Sequence, residues 1–260
     1  MKPEPLHDPR QGALRAVAFM SGSGTNLRRV LEHECRLQQS RGRAPYHICG
    51  IFSDACDSQA VEIGREYNLP VIIRDIRAFY KAHNAKRSDL ALREVYDREN
   101  IALLAPLDAA FAVYAGYMSI ASNALLTAFT GINVHPADLS VREDGKRKWV
   151  GAHTVRDAIA AGESLLRAST HLVEPVVDGG RILIISPGVE VQLPKGTDLN
   201  DKAQLEEITA VNQSRLKERG DWVIMPRTVE YIADGRFCRD ETGMLYFDGK
   251  PVPDGLKEEY

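Results

Sequence analysis

Asn133, His135 and Asp178 are side chains of the types that acyl-group chemistry uses. The first two lie two residues apart in Gly131-Ile132-Asn133-Val134-His135-Pro136. Strand side chains alternate faces, so this spacing aims an amide and an imidazole the same way and sends Ile132 and Val134 to the other side. Pro136 ends the strand. The pair therefore sits at a strand's carboxyl end, where open α/β sheets bind ligands. Such a pair can donate hydrogen bonds and, through an imidazole that titrates near neutrality, move a proton. Asp178 falls in Val177-Asp178-Gly179-Gly180. Asp-Gly is a common turn dipeptide, so this is either hairpin chemistry or an acid held at a cleft.

Met20-Ser21-Gly22-Ser23-Gly24-Thr25-Asn26 follows an apolar run and precedes a helical one. A strand–glycine–helix turn aims free backbone N–H groups and a positive helix end at an anion. No Lys follows Gly24, so the loop is not a Walker A motif. Leu27 stands where a dinucleotide fingerprint has its third glycine, although Asp54 sits where a ribose-binding acid is found. A small pocket for one phosphate, with Ser23, Thr25 and Asn26 adding donors, is the third reading. A plain tight turn with a Ser or Thr helix cap is the fourth.

The elements that position these groups alternate. Apolar runs at Ala16–Met20, His47–Phe52, Pro70–Ile73, Ala109–Tyr114 and Gly131–Val134 predict strands. Helical spacing over Thr25–Leu37, Gln59–Tyr67, Asp89–Asn100 and Ile120–Phe129 predicts the helices between them. This order predicts an α/β fold: a mostly parallel open sheet with helices on both faces, Rossmann-like. Then comes a charged loop, Arg142–Lys148, and a helix over Thr154–Ala161. Strands at Ser169–Glu174 and Arg181–Val191 follow, joined antiparallel through the Asp178 turn. Helices are expected over Leu205–Lys217 and Trp222–Ala233, with a closing hairpin of Arg236–Arg239 and Met244–Phe247.

The 260 residues suit one large domain and an ordinary core, with 44% hydrophobic residues and a net charge of −3. That charge argues against a nucleic-acid grip driven by net charge. No apolar run is long enough to span a membrane. Residues 1–14 lack a signal-peptide core and read as a flexible leader, ahead of a single domain over 15–260. Cys35, Cys49, Cys56 and Cys238 form no metal-binding spacing, and no metal is implied. A reduced, cytoplasmic compartment is expected.

Taken with their neighbours, these stretches resemble the folate-dependent formyltransferases of the glycinamide ribonucleotide type. The carriers are Ser21–Asn26, Ile51–Asp54, Ala115–Ile120, Ile132–Pro136, Gly151–Ile159, Thr170–Gly180 and the ending Ala-Asp-Gly-Arg-Phe. The resemblance runs from about Ala16 to Val252. It implies formyl transfer from 10-formyltetrahydrofolate, as co-substrate, to the amine of glycinamide ribonucleotide. Asn133, His135 and Asp178 match the family's catalytic positions: an amide that donates to the oxyanion, an imidazole that relays a proton and a carboxylate that orients it. Gly24, Thr25, Asn26, Gly116, Pro136 and Asp221 would hold the phosphorylated acceptor. Met118, Ile120, Leu125 and Val173 would line the folate pocket, although Tyr117 and Met118 read equally as core. The implied partners are these two small molecules, with neither nucleic acid nor membrane; a homodimer is left open.

Three places depart from the family's pattern. Ser119 replaces an arginine after the aromatic-Met pair. The loop from Leu139 to Trp149 is longer, and reads either as a solvated insertion or as a lid in which Arg147, Lys148 or Trp149 meets a ligand. Trp222 replaces a histidine, with Asp221 in place of a glutamate. These departures lie around the acceptor and folate positions, and they keep two relatives of the reaction open: another acceptor amine, or hydrolysis of formyltetrahydrofolate. His171 also matches a family position and reads as supporting or core.

Overall fold

In the computed structural model, residues 2–259 are described. Met1 and Tyr260, the outermost residues of the expected leader and domain, lie outside them. In chain order the elements are β1 Glu4–Pro5, β2 Leu14–Met20, α1 Thr25–Arg41, β3 Tyr46–Ser53, α2 Ala60–Tyr67, β4 Val71–Ile73, α3 Ile76–Ala82, α4 Leu90–Leu104 and β5 Phe111–Tyr114. Then come α5 Asn123–Ala128, β6 Thr130–His135, β7 Arg142–Glu143, β8 Lys146–Arg147, α6 Thr154–Ala160, β9 Leu165–Leu166, β10 Ser169–Leu172, β11 Ile182–Ile185 and β12 Val189–Glu190. The chain ends with α7 Lys202–Leu216, a π-helical turn Lys217–Asp221, α8 Trp222–Ala233, β13 Phe237–Arg239, β14 Leu245–Phe247, β15 Lys250–Pro251 and β16 Leu256–Lys257.

Eight strands form the main sheet in the order β16-β11-β10-β6-β5-β2-β3-β4. The run from β6 to β4 is parallel, as the alternation predicts. β10 is antiparallel to both β6 and β11. The central strands are apolar on both faces because both are covered: β2 is buried at every position but Arg15. One face packs the side chains of Val30, Ile63, Ile224 and Val229. The other holds an aromatic cluster in which Phe19 stacks on Tyr114 with ring centroids 5.0 Å apart and meets Tyr117 edge-on.

Several elements differ from the sequence expectation. The leader is docked: Glu4 and Pro5 pair with Arg239 and Cys238, and Leu6 packs on the core. One apolar side chain and an edge strand suffice to dock a polar segment. The charged loop is a hairpin, β7–β8, turned at Asp144-Gly145 with both residues at positive φ. The second strand of the Asp178 hairpin stops at Ile185. Pro187 and Gly188 break it, and β12 pairs instead with β9. α3, capped by the Asp75 side chain, falls between the expected strand Pro70–Ile73 and helix Asp89–Asn100, where no element was expected.

Gly180 shows how tightly the Asp178 turn is drawn onto the sheet, since a Cβ there would stand 1.7 Å from the Leu172 carbonyl oxygen. Gly180→Ala is expected to destabilise the protein by about 1–3 kcal/mol through this overpacking. For a chain of this size that lowers the melting temperature by roughly 3–10 °C in differential scanning fluorimetry.

Candidate active site

The sequence places Asn133 and His135 on one face of β6, and the register of the neighbouring strand supplies their surroundings. His171 of β10 pairs directly with Asn133, and Ser169 with His135. Directly opposed residues share a face, so the Asn133 amide meets the His171 ring, with Nδ2 3.3 Å from Nε2. The His171 Nδ1–H donates to the Leu172 carbonyl at 2.8 Å, which leaves Nε2 to accept from Asn133. The amide is thereby oriented and keeps its second N–H hydrogen. Burial holds the His171 pKa below its ordinary value and keeps the ring neutral, as that tautomer requires.

His135 is held at both nitrogens. Its Nε2–H donates to the Trp149 carbonyl at 3.2 Å, and its Nδ1 lies 3.4 Å from Asp178 Oδ1. Two acceptors favour the imidazolium, whereas burial favours the neutral ring. Burial is the larger effect, and the His135 pKa lies below its usual range. The neutral ring therefore keeps its hydrogen on Nε2 and presents Nδ1 beside the carboxylate.

Asp178 reaches this position from a left-handed backbone, φ +52°, which is uncommon for a residue with a side chain. Its Oδ2 accepts from the Gly151 N–H at 2.9 Å. Arg147 donates one N–H to the Asp178 carbonyl and another to the Gly180 carbonyl, the latter at 2.8 Å. The insertion thus binds the Asp178 turn. Lys148 pairs with Glu143 at 3.2 Å, and the Trp149 ring is buried.

Asn133, His135 and Asp178 open into a cavity of about 410 Å³. Asn26, Gly116, Pro136, Asp221, Met118, Ile120 and Val173 also line it. Gly24 and Thr25 do not. They form the start of α1, where Gly24 takes φ +64° and no side chain caps the helix. The helix-cap reading of the loop therefore gives way to an uncapped helix end. Leu125 is not part of the lining either: it is fully buried in the aromatic cluster. Met118 and Ile120 are 74% and 53% exposed, so they rim the cavity, while Tyr117 takes the core position.

Asp54 is not available to a ribose. It is 3% exposed and accepts from the Ser21 hydroxyl at 2.6 Å and from the Ser119 hydroxyl. Lys217 and Gln213 also line the cavity. They were missed because a polar face on a helix ordinarily reads as solvated; the signal was the spacing of Lys217 and Gln213, one and two turns ahead of Asp221.

Asp221 is buried, and its Oδ1 has no protein partner among the described residues. Burial raises its pKa to about 7, opposed by the Asn26 amide and the Lys217 charge. The Asn26 side-chain oxygen is also unpartnered. Two buried acceptors without donors, beside the open end of α1, form a site for a ligand that carries N–H groups and an anion.

The formyl transferase family matches residues 14–207. The chain belongs to the formyl transferase family. A phosphoribosylglycinamide formyltransferase of Mycobacterium tuberculosis is 30% identical over 82% of this chain and 86% of its own. One from Escherichia coli is 26% identical over 92% and 96%. The fold is that of solved relatives. A phosphoribosylglycinamide formyltransferase from Coxiella burnetii superposes with a TM-score of 0.66 at 21% identity, covering 94% of this chain and 99% of its own. A glycinamide ribonucleotide transformylase from Symbiobacterium toebii gives 0.65 at 24%, covering 90% and 94%. No helix among the described residues is long and apolar enough to cross a membrane.

The elevated Asp221 pKa has a measurable consequence. The unfolded chain releases this proton near pH 4 and the folded protein near pH 7. Between those values the folded state binds more protons, so this group's contribution makes stability fall as pH rises. Asp221→Asn removes that slope. Its stability advantage over the parent protein is expected to be near zero at pH 4 and to grow to about 2–4 kcal/mol by pH 8, read by urea denaturation. An advantage independent of pH would place the Asp221 proton elsewhere.

Proposed function

We propose that this protein transfers the formyl group of 10-formyltetrahydrofolate to the primary amine of glycinamide ribonucleotide, a step of purine synthesis. The observation that carries this reading is the single cavity that brings together the unpartnered Asn26 and Asp221 oxygens, beside the uncapped start of α1, the Asn133–His135–Asp178 group and the apolar rim of Met118, Ile120 and Val173. The first two features suit a phosphorylated amine, and the rim suits a flat heteroaromatic donor. The relatives whose names carry this activity support the same assignment.

In the proposed mechanism the acceptor phosphate lies at Gly24, Thr25 and Asn26, with Gly116, Pro136 and Asp221 along the acceptor. Met118, Ile120 and Val173 contact the folate. The neutral amine attacks the formyl carbon, a C–N bond forms, and the carbonyl oxygen becomes an oxyanion. Asn133, oriented by His171, donates its free N–H to that oxygen. The amine then gives up a proton at the edge that His135 Nδ1 shares with Asp178, and this pair returns a proton to N10 of the folate as the N10–carbon bond breaks. Asp178 orients the ring and stabilises its charged form. No covalent intermediate with the protein is needed. We place this activity in the cytoplasm, and the four cysteines, all unpaired, suit a reducing compartment.

The test is spectrophotometric loss of 10-formyltetrahydrofolate, with and without glycinamide ribonucleotide. Turnover is expected only with the ribonucleotide. His135→Ala and Asp178→Asn are expected to lower kcat by about 10²–10⁴-fold while the protein stays folded. Turnover without any amine would make the protein a hydrolase, and folate binding without turnover would send the search to other amines.

A further inference from the structure

The β7–β8 insertion and the Asp178 turn are joined by polar contacts at several points. Arg147 donates to the carbonyls of Asp178 and Gly180, the Gly151 N–H donates to Asp178 Oδ2, and the Trp149 carbonyl accepts from His135. The turn itself has no apolar anchor here: Val176 and Val177 are 71% and 56% exposed. Asp178 also holds a left-handed backbone that its own side chain disfavours. The turn closes with one bond of its own, from the Gly179 N–H to the Val176 carbonyl at 2.9 Å, and its other polar anchors come from the insertion.

We infer that Arg147 is a positioning residue for formyl transfer: its guanidinium bridges the Asp178 and Gly180 carbonyls and so aims the Asp178 carboxylate at His135. The inference rests on the formyl-transfer reading above. Arg147 does not line the cavity, so it acts on Asp178 and not on a substrate. Its fork presents two N–H groups in fixed geometry to two carbonyls two residues apart. A lysine keeps the charge but not the fork. The insertion then has a purpose apart from covering the cavity. It locks the acid at the one distance, 3.4 Å, from which it reaches the ring.

Arg147→Ala is expected to lower kcat by about 10–100-fold, the cost of a misplaced catalytic group, with KM for both substrates held within about twofold. Guanidinium at tens of millimolar is expected to restore part of that loss in Arg147→Ala and to do nothing for the parent protein. Arg147→Lys, which preserves the charge and the fold, is expected to fall between the two. The Gly151 amide proton reports the strap without substrate. Its resonance is expected to move upfield in Arg147→Ala as the bond to Asp178 is lost. An unchanged kcat would overturn the inference. So would a KM increase matching the kcat loss with no response to guanidinium, or an unmoved Gly151 resonance. Should the parent protein itself show no turnover with the ribonucleotide, the acceptor reading fails, and the Gly151 resonance alone decides on Arg147.

Discussion

A buried imidazole placed between a carboxylate and a carbonyl oxygen is the constraint around which this structure is built. For the proposed relay His135 has to lose water, and it then needs both nitrogens held by groups that do not settle its charge for good. β6 supplies the ring, because its central place in the sheet buries the strand while its carboxyl end opens on the cavity. The other two groups come from elsewhere, the Trp149 carbonyl from the segment after β8 and the Asp178 carboxylate from the turn after β10. β10 must run antiparallel to β6 for this to work. That direction sets His171 against Asn133, and the segment after β10 folds back along the cavity to bring Asp178 to His135.

The acceptor side follows a different logic. There the chain leaves polar groups unsatisfied in place of pairing them. α1 starts at a left-handed glycine without a side-chain cap, and Asn26 and Asp221 each keep a buried oxygen without a donor. The π-helical turn Lys217–Asp221 between α7 and α8 makes this possible. A wider turn shifts the side-chain register of one helix against the next, and such turns recur at functional sites. It brings Lys217 and Asp221 to the same cavity. The cost of burying Asp221 appears as its raised pKa, and the core of Ile224, Met225 and Val229 on α8 offsets it.

What could be read from the sequence was what depends on neighbours along the chain. Strand alternation placed Asn133 and His135 on one face, and the apolar runs located the parallel strands. The bond between Asn133 and His171 was out of reach, because it depends on the pairing of β6 with β10 and not on any local pattern. Leu125 shows the same limit from the other side. Its helical spacing marks it as buried, but only the packing of α5 shows that it belongs to the aromatic cluster and not to the cavity lining. The Arg142–Lys148 stretch carried a legible turn at Asp144-Gly145, yet its charges suggested solvent. Arg147 is spent on backbone carbonyls more than thirty residues away, which no composition reveals. The leader was misread for a related reason: a lone Leu6 and a two-residue edge pairing are too short to register as an element.

Ser119 joins the two halves of the site. A shorter side chain stands here where the family carries an arginine, and its hydroxyl donates to Asp54. Asp54 also accepts from Ser21 of the glycine loop, whose own hydroxyl receives the Met118 N–H at 2.9 Å. The glycine loop and the Met118 segment are therefore tied through one buried carboxylate, and neither can move without breaking a bond to it. A guanidinium is still present beside this position. Arg87, from the segment between α3 and α4, donates to the Ser119 hydroxyl at 3.2 Å. The positive charge thus enters from another element, while the position next to Met118 is freed for a neutral bridge. Each Asp54 oxygen accepts one hydroxyl, Oδ1 from Ser21 and Oδ2 from Ser119, so the buried carboxyl group is satisfied by protein donors and joins both segments where a direct ion pair would have drawn it to one.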